Sequence, residues 1–104
     1  MDLRGHLDLL LLAALDRLGP AHGYALIAAI RRTSAGVFDL AEGTVYPALH
    51  RLEGGGAIAG ATTPGPTGRP RRVYRLTHAG EALLADHRRA WRTFAAGLDA
   101  VVGR

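Results

Sequence analysis

The chain has 104 residues, 48% of them hydrophobic, and a formal net charge of +4. This length and apolar content suffice for one hydrophobic core, so a second independent domain is not expected. The absence of cysteine excludes a disulfide framework and thiolate metal sites, and it fits a reducing compartment, so we expect a cytoplasmic location.

The first predicted helix runs from His6 to Leu18 and is apolar around almost its whole circumference. Its leucine run contains Asp8, is followed by Asp16 and is far shorter than the roughly 18 residues of a membrane-spanning helix. We therefore interpret it as a buried helix and expect no membrane association. A helix without a polar face needs packing partners on two sides, and in so small a chain we expect one of them to be another subunit.

The second helix is predicted from about His22 to Thr33. Tyr24, Ile27 and Ile30 recur at three-residue spacing and form its predicted inner face. Helical periodicity is then lost, and Val37–Leu40 is predicted to be a short strand-like crossing that buries Phe38 and Leu40.

The third helix, roughly Glu42 to Glu53, has a polar, aromatic and mildly charged outer face. Thr44 is its predicted N-cap, which places Pro47 in the first turn, where the missing N–H costs little. Side chains on such a face can reach the edges of bases or the phosphates of a duplex, and the simpler interpretation is a solvated face. The outward residues are Thr44, Tyr46, Pro47, His50 and Arg51.

A basic hairpin follows the third helix. Residues 57–63 and 71–76 are its predicted strands, and Pro64 to Gly68 form the tip. The segment from Gly54 to Gly80 holds four arginines and no acidic residue, whereas the charges of the rest cancel. Concentrated positive charge suits a polyanion, because phosphates that are neutralised release counterions; the alternative is a solvated hairpin tip. The predicted phosphate contacts are Arg69, Arg71 and Arg72.

The last helix is predicted to start at a Thr77 cap and to reach about Val102. Its apolar residues repeat every seven positions, which predicts a dimerisation seam, although His87 and Gly97 weaken it. Trp91 in this seam is either an interface anchor or a surface on which a small planar aromatic ligand stacks. The predicted dimer interface comprises Leu7, Leu11, Leu84, Trp91, Phe94, Leu98 and Val101.

Three helices followed by a basic hairpin form the order of a winged helix-turn-helix. The predicted fold is therefore mainly α with a small β-hairpin. Residues 1–76 form the winged helix-turn-helix domain, with its wing at about 57–76, and residues 77–104 form an added C-terminal dimerisation helix. A two-fold dimer with such third helices suits palindromic double-stranded DNA. A module for protein or RNA contacts, without operator recognition, remains the alternative.

Catalytic and metal-binding patterns are missing from the sequence. No serine or carboxylate pair has a base at recognisable spacing, and Gly54-Gly55-Gly56 is not followed by a P-loop lysine. The five histidines have no close ligand spacing. We expect no enzymatic activity, no metal site and no cofactor.

Several motifs resemble the PadR family of bacterial transcriptional regulators, over nearly the whole chain. They are His22-Gly23-Tyr24, Gly43-Thr44-Val45-Tyr46-Pro47-Ala48-Leu49, Arg51-Leu52-Glu53, and Tyr74-Arg75-Leu76-Thr77 with Gly80. The resemblance implies a dimeric repressor. Its third helices would enter the major groove, and its wings would contact the DNA backbone or the minor groove. Its last helix would pair with the first and last helices of the partner subunit. The short C-terminal helix resembles a smaller subgroup, in which the dimer interface can enclose a flat aromatic effector.

Overall fold

The computed structural model describes residues 6–103, which form four helices and a three-stranded antiparallel sheet. The mainly α fold with a small hairpin is thereby confirmed. The helices are α1 (Leu7–Leu18), α2 (Gly23–Thr33), α3 (Glu42–Gly54) and α4 (His78–Val102), and the strands are β1 (Ala21–His22), β2 (Ile58–Pro64) and β3 (Pro70–Leu76).

Helix α1 lies at the centre of the core, as its apolar circumference predicts. It contacts all three other helices and strand β3, and Leu11, Leu12 and Leu15 are almost completely buried. Burial of each such side chain stabilises the fold by about 1.5–3 kcal/mol. Within residues 6–103, no helix combines the length and the apolar character that crossing a membrane would require.

The hairpin has the predicted strands within one residue, and its β3 strand is the centre of the sheet. Strand β2 pairs with β3 from Ile58↔Leu76 to Pro64↔Pro70. On the other side of β3, the two-residue strand β1 pairs Ala21 with Tyr74. The sequence analysis missed β1 because two residues carry no periodicity.

The predicted strand at Val37–Leu40 is absent, because local turns satisfy its backbone. The Phe38 N–H donates to Ser34 Oγ at 3.0 Å, and the Val37 N–H donates to the Ser34 carbonyl oxygen at 3.1 Å. Leu40 is buried as predicted, Phe38 is half-buried, and Val37 points to solvent.

The inner face of α2 also differs from the prediction. Leu26, Ala29 and Ile30 are buried, whereas Tyr24 is 57% exposed and Ile27 is half-buried. Tyr24 lies instead against α3, where its ring meets that of Tyr46. The three-residue spacing selected one residue on the wrong side of the helix.

Helix α3 begins at Glu42, as its predicted range states, but its N-cap is Ala41 and not Thr44. The N–H groups of Thr44 and Val45 both donate to the Ala41 carbonyl oxygen, each at 3.0 Å. Pro47 therefore lies inside the helix, beyond the first turn, and has no N–H to give to the Gly43 carbonyl. Because Gly43 is exposed, water can satisfy that carbonyl.

Helix α4 begins as predicted, with Thr77 as its cap. The Thr77 side-chain oxygen accepts from the Gly80 N–H at 3.0 Å. Leu84 joins the central core, so the first turns of α4 pack on the winged helix-turn-helix, whereas every residue from 96 to 103 is exposed.

Candidate nucleic-acid interface

The outer face of α3 is available to a partner. Val45, Ala48, Leu49 and Leu52 are buried on its inner side. All five residues predicted to face outward are exposed, namely Thr44, Tyr46, Pro47, His50 and Arg51. The period of the helix therefore placed these side chains correctly, even though the predicted cap was wrong.

A groove of about 340 Å³ lies between the start of α2, helix α3 and the wing. Tyr24 and Tyr46 form part of its wall, with their ring centroids 6.4 Å apart in an edge-to-face arrangement. Among the described residues that line the groove, none is acidic. They are His22, Gly23, Tyr24, Tyr46, Gly65, Pro66, Thr67, Arg69, Pro70, Arg71 and Arg72.

Gly23 allows Tyr46 to approach α2. A Cβ at position 23 would lie 2.7 Å from Tyr46 Cε1, closer than van der Waals contact permits. Tyr46 is thereby fixed against the first turn of α2, and its pKa is raised by burial first and then by the charge of Glu42. Its neutral phenol can donate a hydrogen bond to a phosphate oxygen.

His22 caps α2 and lines the groove, a role that the sequence analysis did not assign. Its Nδ1 accepts from the Ala25 N–H at 3.2 Å. Burial, followed by the positive charge of Arg71, lowers the pKa of His22. The His22-Gly23-Tyr24 motif was the signal available in the sequence, since its three residues all contribute to this corner of the groove.

Arg69 and Arg71 are the two arginines of the wing that line the groove without an ion pair among the described residues. Within residues 6–103, neither guanidinium forms an ion pair with a carboxylate. The tip is closed by the Gly65 N–H, which donates to the Arg69 carbonyl oxygen at 2.8 Å. Both arginines line the groove, as the phosphate-contact prediction requires.

Arg72 differs from its two neighbours because it is paired with Glu53 at the end of α3. Its Nε donates to Glu53 Oε1 at 3.1 Å, its Nη2 donates to Oε2, and its Nη1 donates to Thr62 Oγ1 at 3.3 Å. The hydrogen bond from Arg72 is the main cause that lowers the pKa of Glu53. Its charge is therefore largely compensated inside the protein.

Arg51 is also paired within the chain. Its Nη1 and Nη2 donate to the two carboxylate oxygens of Asp8 in α1, at 2.9 and 2.6 Å. This bidentate contact is the main cause that raises the pKa of Arg51. Two of the eight residues predicted to contact DNA, Arg51 and Arg72, are thus also attached to carboxylates of their own chain.

The predicted dimer seam is only partly exposed. Leu7, Leu11 and Leu84 are at most 6% exposed, because the core of the single chain already covers them, and they offer almost no surface to a second subunit. This corrects that part of the predicted interface. Phe94, Leu98 and Val101 have at least 47% of their surface exposed, so the exposed part of the predicted seam lies in the second half of α4.

Trp91 lies where this seam meets α1. Its ring is half-buried, with centroids 5.3 Å from His6 and 5.8 Å from Phe94. A cavity of about 220 Å³ adjoins it, lined by His6, Leu9, His87, Ala90, Trp91 and Phe94.

Within the described residues, no cluster of three or more potential metal ligands occurs.

Comparison with known proteins identifies relatives of this architecture. Residues 11–86 match the model of the transcriptional regulator PadR-like family. A transcriptional regulator of Mycobacterium tuberculosis is 47% identical over 53 residues, which are 51% of this chain and 49% of that relative, so the match spans about half of its length. An uncharacterised protein of Lysinibacillus sphaericus is 30% identical over 92 residues, covering 86% of this chain and 81% of the relative.

Solved structures agree over almost the whole chain. A transcriptional regulator from Clostridium thermocellum superposes with a TM-score of 0.87 at 27% identity, covering 97% of this chain and 94% of its own. A PadR family regulator from Eggerthella lenta gives 0.81 at 30% identity, with 95% and 83% covered. The chain therefore belongs to the PadR-like family of transcriptional regulators and has the winged-helix fold of that family.

Proposed function

We propose that this protein is a cytoplasmic, sequence-specific repressor that binds an inverted-repeat operator in double-stranded DNA as a homodimer. Helix α3 enters the major groove, and the wing contacts the phosphate backbone. One observation carries the proposal: Tyr46 on the exposed face of α3 and the wing arginines line one groove, which no described carboxylate lines. Such a surface attracts the phosphates of DNA and presents polar side chains to base edges.

The chemistry of the side chains suggests which residues of the proposed interface contact bases and which contact phosphates. Thr44 and His50 have short polar groups on the exposed face of α3 and are the proposed base-reading residues. Tyr46 lines the groove and is the proposed phosphate contact on α3, and Pro47 is exposed on the same helix. Arg69 and Arg71 supply affinity that does not depend on sequence.

A second copy is needed to read an inverted repeat. The exposed Phe94, Leu98 and Val101 on α4 form an apolar surface of the kind that marks protein interfaces. In the usual geometry of two-fold dimers, the two α3 helices would meet half-sites about 10 base pairs, or roughly 34 Å, apart. A dimer that occupies such a site blocks other proteins from the same duplex, which is why we propose repression.

We place the proposed effector site at Trp91. Half-buried aromatic rings and an adjoining cavity of about 220 Å³ suit a small planar aromatic compound. Single ligand pockets usually exceed about 300 Å³, so a second subunit would have to complete this one. The competing role of Trp91 is that of an interface anchor.

The first prediction concerns salt dependence. If Arg69 and Arg71 of both subunits neutralise four phosphates, they contribute a slope of about −3.6 to the logarithm of affinity against the logarithm of salt concentration. From about 50 to 200 mM salt, the parent should lose roughly 100-fold more affinity than the double variant Arg69→Ala, Arg71→Ala. Binding to a duplex library at both salt concentrations measures this difference and identifies the operator.

The matched control is Arg31→Ala with Arg92→Ala, which removes the same charge from exposed positions outside the groove. This control should keep the slope and the sequence preference of the parent. Enrichment of an inverted repeat, with the wing variant weakened on all duplexes, is the expected result. If no duplex is enriched and the wing variant binds like the parent, the operator proposal is wrong and the protein- or RNA-contact module takes its place.

A further inference from the structure

Two bidentate ion pairs attach the C-terminal end of α3 to different parts of the molecule. Arg51 binds Asp8 in α1, and Glu53 binds Arg72 in β3. Arg51 and Glu53 are two residues apart, so they project in different directions from the helix. Helix α3 is thus connected on one side to α1 and on the other to the wing.

In both pairs the carboxylate is the less exposed partner. The Asp8 side chain is 22% exposed against 60% for Arg51, and the Glu53 side chain is 24% exposed against 44% for Arg72. Each arginine therefore binds a carboxylate that is more buried than the arginine itself. A guanidinium in this arrangement donates its paired N–H groups to the carboxylate, so fewer N–H donors remain for a DNA base or phosphate.

The bidentate contacts are directional, whereas the apolar packing of α3 is not. Hydrophobic burial is non-directional, and the inner face of α3 consists of apolar side chains. Two parallel N–H···O bonds at each contact restrict rotation and sliding of one element against another. Exposed ion pairs add little to overall stability, so any role of these two pairs must come from the geometry that they impose on neighbouring elements.

We infer that Asp8 and Glu53 are positioning residues for DNA recognition, and that Arg51 acts through Asp8 instead of contacting DNA. Asp8 sets the angle between α1 and α3, and Glu53 sets the angle between α3 and the wing. This inference rests on the proposed function, and it revises the assignment of Arg51 and Arg72 as DNA contacts. It leaves Thr44, Tyr46, Pro47, His50, Arg69 and Arg71 as the contacting set.

A double-mutant cycle separates positioning from direct contact. Asp8→Asn and Arg51→Gln each break the same ion pair, so combining them in the double variant removes no further interaction. For positioning, all three variants should lose operator affinity by the same factor, about threefold to tenfold. Affinity for non-operator duplex and the salt slope should stay at the parent values, because no phosphate contact is lost.

Direct contact by Arg51 predicts a different pattern. Arg51→Gln alone would then weaken binding and make the salt slope shallower, whereas Asp8→Asn would leave affinity unchanged or raise it by releasing Arg51. That pattern would overturn the inference. The matched control is Asp86→Asn with Arg89→Gln, which breaks an exposed pair within α4 and should bind like the parent.

A measurement without DNA keeps the inference separate from the proposed function. Residual dipolar couplings of backbone amides report the angle of α3 relative to α1 and β3. Asp8→Asn and Glu53→Gln should change this angle while α3 stays helical, and the α4 control should not. Unchanged couplings would overturn the inference even if the parent binds an operator. A changed angle in a protein that enriches no duplex would mean that the proposed function fails while the positioning contacts stand.

Discussion

At the scale of single residues, His22 shows how one atom can connect the groove to a helix end. Its Nδ1 accepts the Ala25 N–H, and a nitrogen that accepts cannot carry a proton. Only the neutral imidazole therefore makes this bond. Burial and the neighbouring Arg71 lower the His22 pKa, and both favour the neutral, capping form.

This arrangement predicts a pH dependence of stability. Because the folded pKa lies below the ordinary value of 6.5, the unfolded chain binds the proton more readily, and the contribution of His22 is complete above about pH 6.5 and is lost as pH falls below it. In His22→Asn, an amide oxygen can accept the same bond at any pH. Between about pH 7.5 and 5, the melting temperature of the parent should fall relative to that of His22→Asn.

Thermal unfolding of both proteins, monitored by circular dichroism, measures that difference. The two proteins share all other titrating groups, so taking the difference between their melting temperatures at each pH removes most of the effect of those groups. A difference that does not vary with pH would show that the Nδ1 contact contributes no stability.

At the scale of elements, the start of α4 is closely fitted to the start of the wing. The Thr77 hydroxyl donates to the Gly56 carbonyl oxygen at 2.6 Å while its oxygen accepts from the Gly80 N–H. A Cβ at Gly80 would overlap the Ala57 carbonyl oxygen. The position of α4 therefore depends on a glycine that lets two backbones touch.

Two glycine substitutions in α4 should have opposite effects. Gly80→Ala forces the helix away from Ala57 and should lower the free energy of unfolding by about 1–3 kcal/mol. Gly97→Ala meets no atom within 4 Å and should raise it by about 0.5–1 kcal/mol, since alanine loses less entropy in a helix. Urea unfolding measures both, and equal stability of Gly80→Ala and the parent would contradict the close fit.

The elements that sequence predicted well are those defined by neighbouring residues. The hairpin follows from its Pro-Gly tip, and the start of α4 follows from the Thr77 cap. The Thr44 cap was predicted wrongly because Ala41 caps α3 without a side-chain hydrogen bond, so no capping side chain marks the start of the helix in the sequence. The strand at residues 37–40 failed because Ser34 satisfies the backbone instead.

The candidate site divides in the same way. Exposure of the α3 residues follows from helical periodicity. The partners of Arg51 and Arg72 lie 43 and 19 residues away in the chain, and only the packing of α1 and β3 against α3 brings them together. A guanidinium directed to solvent and one bound to a distant carboxylate are indistinguishable in the sequence.

At the scale of the whole molecule, the chain is elongated, with extents of 52 × 28 × 21 Å. The 25-residue helix α4 extends past the core, and Phe94 and Leu98 are each 47% exposed there. An apolar surface of this kind is unfavourable in water. We expect a second copy to cover it.

Phe94→Ser with Leu98→Ser should therefore weaken self-association. At concentrations where the parent sediments as a dimer, this variant should sediment as a monomer and bind an inverted repeat more weakly than the parent. Analytical ultracentrifugation measures the assembly state. Ala96→Ser, at an exposed position on the same helix, is the control, and a dimeric double variant would show that another surface holds the subunits together.

The exposed end of α4 has one more consequence. Residues 96–103 are all exposed, and most helical stability in proteins comes from tertiary packing, which this end of α4 lacks within the single chain. In a lone subunit the final turns should fray, and pairing would order them. Helical content would then rise with protein concentration. If α4 pairs as proposed, folding of this segment is coupled to assembly, and the amount of operator-binding dimer would rise more steeply than in proportion to protein concentration.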